Sequence, residues 1–188
     1  MVVILKPTLK CNIKCSHCYV GENAASNMSV EQLNYVLKNI PQNSDVVIHG
    51  GEPLLMGVDY YESLKNFSHR YSIQTNLTLF TEKWVEVFNS IFNGRISSSF
   101  DYPSERGLRP INSATWLKTV KFLKSRGIKP YVVSMFWKEN ENFPVDIYRF
   151  FKSLNLSFRL NCLIPAGRAR NDFQKLVHTE GAYAEALI

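Results

Sequence analysis

The sequence predicts an α/β fold in which six parallel strands alternate with helices packed outside them. Three observations carry that expectation. Short β-rich runs alternate with segments of helical periodicity, at a spacing of roughly 25–30 residues per βα unit. Capping and stop residues stand where those helices would begin and end. The polar and glycine-rich sequences fall just after the strands, where α/β folds gather their chemistry.

Val2–Leu5 is the first strand, followed by a long polar loop that carries three cysteines. Ser29 and Gln32 fit a capping box for a helix from Ser29 to Ile40, with Val30, Leu33, Leu37 and Ile40 on one face. Asp45–His49 is a second strand ending at Gly50-Gly51, and a short helix around Tyr60–Phe67 leads into the strand Tyr71–Thr75. Thr81 is placed to cap a helix whose apolar face is Trp84, Phe88, Ile91 and Phe92. Arg95–Phe100 is a fourth strand, unusual for its run of serines. Ser113 opens a helix with Leu117, Val120 and Leu123 inward, closed by Gly127. Pro130 is tolerable near the start of a fifth strand, Lys129–Phe136. Pro144 suits the first turn of a helix burying Ile147, Phe151 and Leu154. The sixth strand is Ser157–Ile164, broken by Pro165, and the chain is helical again from Asn171, with no capping signal at Ala184–Ile188. Right-handed crossovers make the sheet parallel. Periodicity does not separate an open doubly wound sheet from a barrel; the expectation adopted is a partial (β/α)6 barrel with helices outside.

A length of 188 residues suits one domain, here taken as 1–188. No apolar run approaches the ~20 residues of a membrane span, and the short apolar start lacks the marks of a signal peptide, so the expected location is the cytoplasm. The net charge of +6 comes from basic residues that are scattered rather than clustered, which argues against nucleic acid and suits an acidic peptide or a small anion equally well.

Three of the four cysteines lie within eight residues. Such clustering in a chain of this size, without a secretory signal, points to metal rather than disulfides. Cys11, Cys15 and Cys18 form a C-x3-C-x2-C loop, Lys10-Cys11-Asn12-Ile13-Lys14-Cys15-Ser16-His17-Cys18-Tyr19. Thiolates are the usual ligands of iron–sulfur clusters, and three of them on a four-iron cluster leave one iron open to a small molecule. The competing readings are an iron–sulfur electron carrier, which would want four cysteines and no open iron, and a structural zinc site, which requires a fourth ligand. His17 is badly placed to supply it beside Cys18, and Cys162 is distant in sequence and reads as a small core residue.

The loop resembles the signature of the radical S-adenosylmethionine (radical SAM) superfamily. The resemblance implies a 4Fe–4S cluster on Cys11, Cys15 and Cys18, with the open iron chelated by S-adenosylmethionine. In that family an electron from the cluster cleaves the sulfonium to give a 5′-deoxyadenosyl radical, which abstracts a substrate hydrogen. It also implies that Tyr19 lies against the adenine. Gly50-Gly51-Glu52-Pro53 resembles the family's GGEP element, which supports the cofactor's amino group; paired glycines admit a close backbone approach, and a carboxylate accepts from an ammonium. Gln74-Thr75-Asn76 resembles a QTN segment, and Ser99-Phe100-Asp101 resembles the run whose serine meets the cofactor's carboxylate or ribose. Ser134 is placed to reach the ribose, and Asn161–Pro165, with Leu163 in it, resembles a segment whose backbone contacts adenine. Each of these softer matches also reads as a turn or strand-end hydrogen bond.

Lys6-Pro7-Thr8, the QTN segment and Asn161–Pro165 resemble one branch, the anaerobic sulfatase-maturating enzymes and peptide maturases that carry a C-terminal SPASM or twitch domain. That implies a peptide or protein substrate and a reduced flavodoxin- or ferredoxin-type electron donor; a small-molecule substrate is the alternative. No cysteine follows Cys162, so no auxiliary cluster is expected within these residues, and the sequence is read as a compact enzyme or a core truncated before such a domain. His49, just before Gly50, is the candidate for orienting substrate or moving a proton, with a strand-end hydrogen bond as its plainer reading. Arg159 and Arg168 near the sixth strand could bind a carboxylate, but arginine on such loops is commonplace and they read as ordinary surface residues.

Overall fold

The computed structural model describes residues 1–20 and 27–185. Its strands are β1 (Val2–Thr8), β2 (Asp45–Gly50), β3 (Arg70–Thr75), β4 (Ile96–Ser99), β5 (Tyr131–Phe136) and β6 (Phe158–Cys162). They form one sheet in chain order, each parallel to the next. Every crossover therefore steps the same way, and right-handed crossovers put all the helices on one face. A doubly wound sheet would reverse its order at a switch point, and this one does not. β1 and β6 are edges that do not pair with each other, so the barrel is partial, as expected.

The helices are α1 (Val30–Asn39), α2 (Trp84–Ser90), α3 (Ser113–Ser125), α4 (Pro144–Ser153), α5 (Ala169–Leu176) and α6 (Ala182–Glu185). Strand alternation sorts the two faces of the sheet. Val46, Ile48, Ile73, Ile96 and Val132 face outward into one core with Leu33 and Leu37 of α1, Val120 and Leu123 of α3, and Ile147 and Phe151 of α4. His49, Gln74, Ser99, Val133 and Met135 lie on the inner face and line a cavity. The serines of β4 follow the same rule. Ser97 and Ser99 lie on the inward register, while Ser98 points into the helix layer, where its hydroxyl accepts the indole N–H of Trp116 at 2.8 Å.

Several boundaries shift for identifiable reasons. β1 continues through Pro7, because an edge strand tolerates a residue without an N–H. The helix expected at Tyr60–Phe67 is a 3-10 helix, Asp59–Asn66, preceded by a 3-10 turn at Pro53–Met56 that Glu52 caps. The Ser29–Gln32 capping box forms as expected, with bonds of 2.8 and 3.2 Å. Thr81 does not cap α2 with its side chain; it offers only its carbonyl, to Trp84 N–H at 3.0 Å. Asn112 rather than Ser113 caps α3, accepting from Thr115 N–H at 2.9 Å. Trp116 takes the fully buried place expected for Leu117, which is only partly buried. β6 stops at Cys162 and α5 begins at Ala169. The expected ending at Ala184–Ile188 runs past Glu185, outside the described residues.

A small second core of Leu108, Met135, Trp137 and Leu163 packs against Phe173 and Leu176 of α5. Among the described residues no helix is long and apolar enough to cross a membrane.

Candidate functional site

At the carboxyl ends of the strands the inner face opens into a cavity of about 610 Å³. Cys11, Cys15 and Cys18 all line it, together with Tyr19, His49, Gly50, Gly51, Glu52, Asn76, Ser99 and Leu163. Eleven residues drawn from five separate stretches of sequence thus meet in one chamber. Pro53, Asp101 and Ser134 do not reach its wall.

The cysteine loop is held at both ends by main-chain bonds. At its start, Gly51 N–H donates to Thr8 O at 2.9 Å and Glu52 N–H to Lys10 O at 2.8 Å, extending the β1–β2 pairing past the strands. A Cβ on Gly50 would stand 2.2 Å from Thr8 O, and one on Gly51 would stand 2.0 Å from Lys10 O. The paired glycines are therefore required by the approach of the protein's own loop, and Gly50 also adopts φ +124°. At the far end, Gly167 at φ +55° sits against Cys18 O, which a Cβ would meet at 2.1 Å. Arg168 N–H donates to Cys18 O at 3.0 Å, and its guanidinium donates to Cys15 O at 3.0 Å. Ser16 N–H is bonded to Leu108 O at 3.0 Å.

Glu52 is buried, and its carboxylate accepts three bonds: from Leu54 N–H at 2.9 Å, Thr75 Oγ1 at 2.6 Å and Asn76 N–H at 2.8 Å. Burial pushes its pKa up, and these donors hold it back. It thereby ties the end of β3 to the turn after β2. Asn76 continues the link, donating to Asn12 Oδ1 at 3.1 Å and lying 3.9 Å from the Cys11 sulfur. Burial raises the Cys11 thiol, and raises that of Cys15 to about 12 against the opposing pull of the Arg109 guanidinium. His17, also on the wall, is lowered to about 3 by burial and then by Arg109, so its ring is neutral.

His49 Nδ1 accepts from Gly50 N–H at 2.7 Å, which assigns the ring proton to Nε2. Burial lowers its pKa, and Lys6 and Arg159 add to that effect. Tyr19 stands edge-on to this ring at 6.1 Å between centroids, with Lys6 Nζ 4.8 Å over its own face. Gln74 Nε2 donates to Ser99 Oγ at 3.3 Å.

Three residues stand apart from their expected places. Asp101 is buried in an ion pair with Arg109 and accepts Met135 N–H at 2.9 Å, so it positions the arginine rather than facing the cavity. Ser134 lies between Val133 and Met135, both on the wall, so strand alternation turns it to the helix side, away from the ribose position expected of it. Pro53 is buried as the first residue of the 3-10 turn. Cys162, read from sequence as a core residue, lines the cavity. Arg109 was not foreseen at all; its one signal was Asp101, since a buried carboxylate needs a partner.

The profile of the radical SAM superfamily matches residues 5–151. The chain belongs to the radical SAM superfamily. It is accordingly an enzyme, and membership implies a 4Fe–4S cluster and S-adenosylmethionine as cofactors. A serine-type anaerobic sulfatase-maturating enzyme of Bacteroides thetaiotaomicron is 25% identical over 187 residues, covering 84% of this chain and 45% of that protein. A cysteine-type anaerobic sulfatase-maturating enzyme of Clostridium perfringens is 26% identical over 196 residues, covering 87% and 52%. The chain spans about half the length of these curated relatives. Among solved structures, native anSMEcpe with bound AdoMet superposes with a TM-score of 0.72 at 22% identity, over 87% of this chain and 52% of the other. Streptococcus suis SuiB bound to precursor peptide SuiA gives 0.67 at 18%, over 85% and 38%. At these identities the structural likenesses establish the shared fold.

The donor chemistry of the chamber fits the implied cofactors. Three thiols are the ligand type of iron–sulfur clusters, and a wall of backbone turns, hydroxyls and an amide suits a polar small molecule. Among the described residues no three His, Cys, Asp or Glu side chains are gathered as a finished metal site. Thiols of raised pKa give up their protons on metal binding, and the metal draws its own ligands together.

Proposed function

We propose that this chain cleaves S-adenosylmethionine reductively at a 4Fe–4S cluster and directs the resulting radical at a side chain of a peptide or protein. The observation that carries the reading is the meeting of Cys11, Cys15 and Cys18 with the Gly50–Glu52 turn, Ser99 and Leu163 in one chamber. In this reading the three cysteines hold the cluster, and residues 1–188 form one core domain. A cluster held there would supply the electron for reductive cleavage of the sulfonium and so the radical chemistry that activates a substrate C–H bond.

The chain's own residues prepare that reaction. Main-chain bonds from Gly51, Glu52 and Arg168 fix both ends of the cysteine loop. Glu52 retains acceptor capacity beyond its three bonds, since a carboxylate offers about four lone-pair sites, and so takes one bond from the cofactor's amino group. Tyr19, exposed at the mouth, stacks on the adenine, with Leu163, just after β6, against it. Ser99 offers its hydroxyl to the carboxylate or ribose. His49, neutral and with Nε2 protonated, orients the substrate as a donor. The peptide substrate is supported by the sulfatase-maturating relatives and by the likeness to SuiB bound to precursor peptide SuiA. A reduced flavodoxin- or ferredoxin-type protein is the proposed donor.

The test is anaerobic reconstitution with iron and sulfide, followed by incubation with dithionite and S-adenosylmethionine and assay for 5′-deoxyadenosine. Its appearance supports the reading. Binding of zinc in place of a cluster, or a cluster that yields no 5′-deoxyadenosine with or without peptide, overturns it.

A further inference from the structure

Among the described residues three charged side chains stand on the wall of the chamber: Glu52, Arg109 and Arg159. Two are accounted for. Glu52 is bonded to three donors, and Arg109 is paired with Asp101. Arg159 differs. Its guanidinium makes no hydrogen bond or ion pair with any described residue, although its main chain is fixed in β6 opposite Val133 of β5.

Among the described residues no carboxylate pairs with Arg159. Tyr19 stands edge-on to the His49 ring and carries the Lys6 ammonium 4.8 Å over its own face, while Arg159 lies on the wall of the same chamber. Lys6 belongs to β1 and Arg159 to β6, the two unpaired edges of the sheet. Lys6 and Arg159 thus both add positive potential at His49, from opposite edges of the sheet. The ammonium of Lys6 is also held over the Tyr19 ring, a contact that leaves its charge uncompensated. Next to them, the protonated Nε2 of His49 and the side chain of Asn161 on the same wall supply further hydrogen-bond donors. A wall bearing one arginine without a partner among the described residues, with adjoining donors, is complementary to an anion, and an arginine fork matches a carboxylate in particular.

We infer that Arg159, assisted by Lys6 on the opposite edge strand, reads a carboxylate of the substrate, so that the reacting residue stands close to an acidic side chain or to a chain-terminal carboxylate. This rests on the peptide-directed reading above and adds the charge class of the peptide to it.

The experiment uses the full chain, loaded with cluster and saturated with S-adenosylmethionine under anaerobic conditions. N-acetylated pentapeptides bearing a neutral dye are compared by fluorescence anisotropy: one with a central aspartate, its asparagine counterpart, and an alanine peptide ending in a free carboxylate or a carboxamide. The expected result is binding about 10-fold tighter for at least one carboxylate peptide than for its amide partner, in line with a charge-assisted pair. Whichever pair discriminates identifies the source, side chain or terminus. Arg159→Gln abolishes the preference, Arg159→Lys keeps part of it, and Lys6→Gln weakens it. Equal affinities, no binding of any peptide, or a preference that survives in Arg159→Gln overturns the inference. So does a loss of S-adenosylmethionine affinity in Arg159→Gln measured calorimetrically without peptide, because it assigns the guanidinium to the cofactor's own carboxylate. Failure of the underlying function reads differently: wild-type protein then forms no 5′-deoxyadenosine, whatever the peptide affinities.

Discussion

The two faces of the sheet are built from alternate residues of the same strands, yet they follow opposite rules. The outer face is a continuous apolar layer, in which Val46, Ile48, Ile73, Ile96 and Val132 meet the helices and even Ser98 is satisfied by Trp116. The inner face near the carboxyl ends is mixed, with the polar His49, Gln74 and Ser99 on three adjacent strands beside Val133 and Met135 of β5. Outer residues are interchangeable within limits of volume, since they act by burial. The polar inner ones are specified by what they donate or accept. The comparison teaches that a hydrophobic pattern reports the fold, and that departures from it on the opposite register report the site.

Substitutions on each face break this comparison in different ways. Cys15→Ala has the largest expected effect: cluster content, followed by iron and sulfide analysis, and 5′-deoxyadenosine formation are lost together. A variant retaining full turnover would sink the assignment of that ligand. Leu33→Ala removes a fully buried side chain from the outer core and is expected to lower unfolding stability by about 3 kcal/mol in urea titrations. Cluster content per folded molecule stays at the wild-type level, which separates the two faces. Gly51→Ala lies between them. Its Cβ meets the Lys10 carbonyl, so the loop must move; a cost of about 2 kcal/mol is expected. Unlike Leu33→Ala it also lowers cluster content, because the displaced segment leads directly into Cys11.

The smallest effect concerns the amino end of the barrel, far from the chamber. Asp45 at the start of β2 is bridged by Arg70 at 2.7 Å and Arg95 at 3.3 Å, and these partners, Arg70 first, hold its pKa at about 2. A carboxylate with a folded pKa below its unfolded value contributes stability above the unfolded pKa and loses it as pH falls through the folded one. Asp45 therefore contributes above about pH 4, and the contribution fades as pH drops toward 2. In Asp45→Asn this part of the acid dependence of the melting temperature disappears. High salt shrinks the wild-type difference, because the pair is exposed to solvent.

Much of the site was legible because its residues are adjacent in sequence. The cysteine spacing and the Gly50–Pro53 turn are local patterns, and local patterns survive translation into structure. The roles within them were less legible. The paired glycines were expected to admit a ligand, and they first admit the Thr8–Lys10 backbone. Asp101, expected at the cofactor, instead buries its charge against Arg109. Ser134 was assigned by its position late in a strand, without the register that sends it to the other face. In each case the partner that decides the role comes from a different βα unit, and no periodicity carries that information.

By itself the sequence determined the βα order, the parallel sheet, the apolar helix faces and the three thiols with their spacing, because each depends on neighbours within a few residues. Only the tertiary structure decided that Gly167 and Arg168 clamp the far end of the cysteine loop, that Cys162 shares its chamber, and that Arg159 of the last strand stands on the same wall as His49 of the second. The physical reason is chain closure. Rolling the sheet brings the first and last strands toward one lumen, so residues separated by almost the whole described chain come to act on the same few ångströms of space.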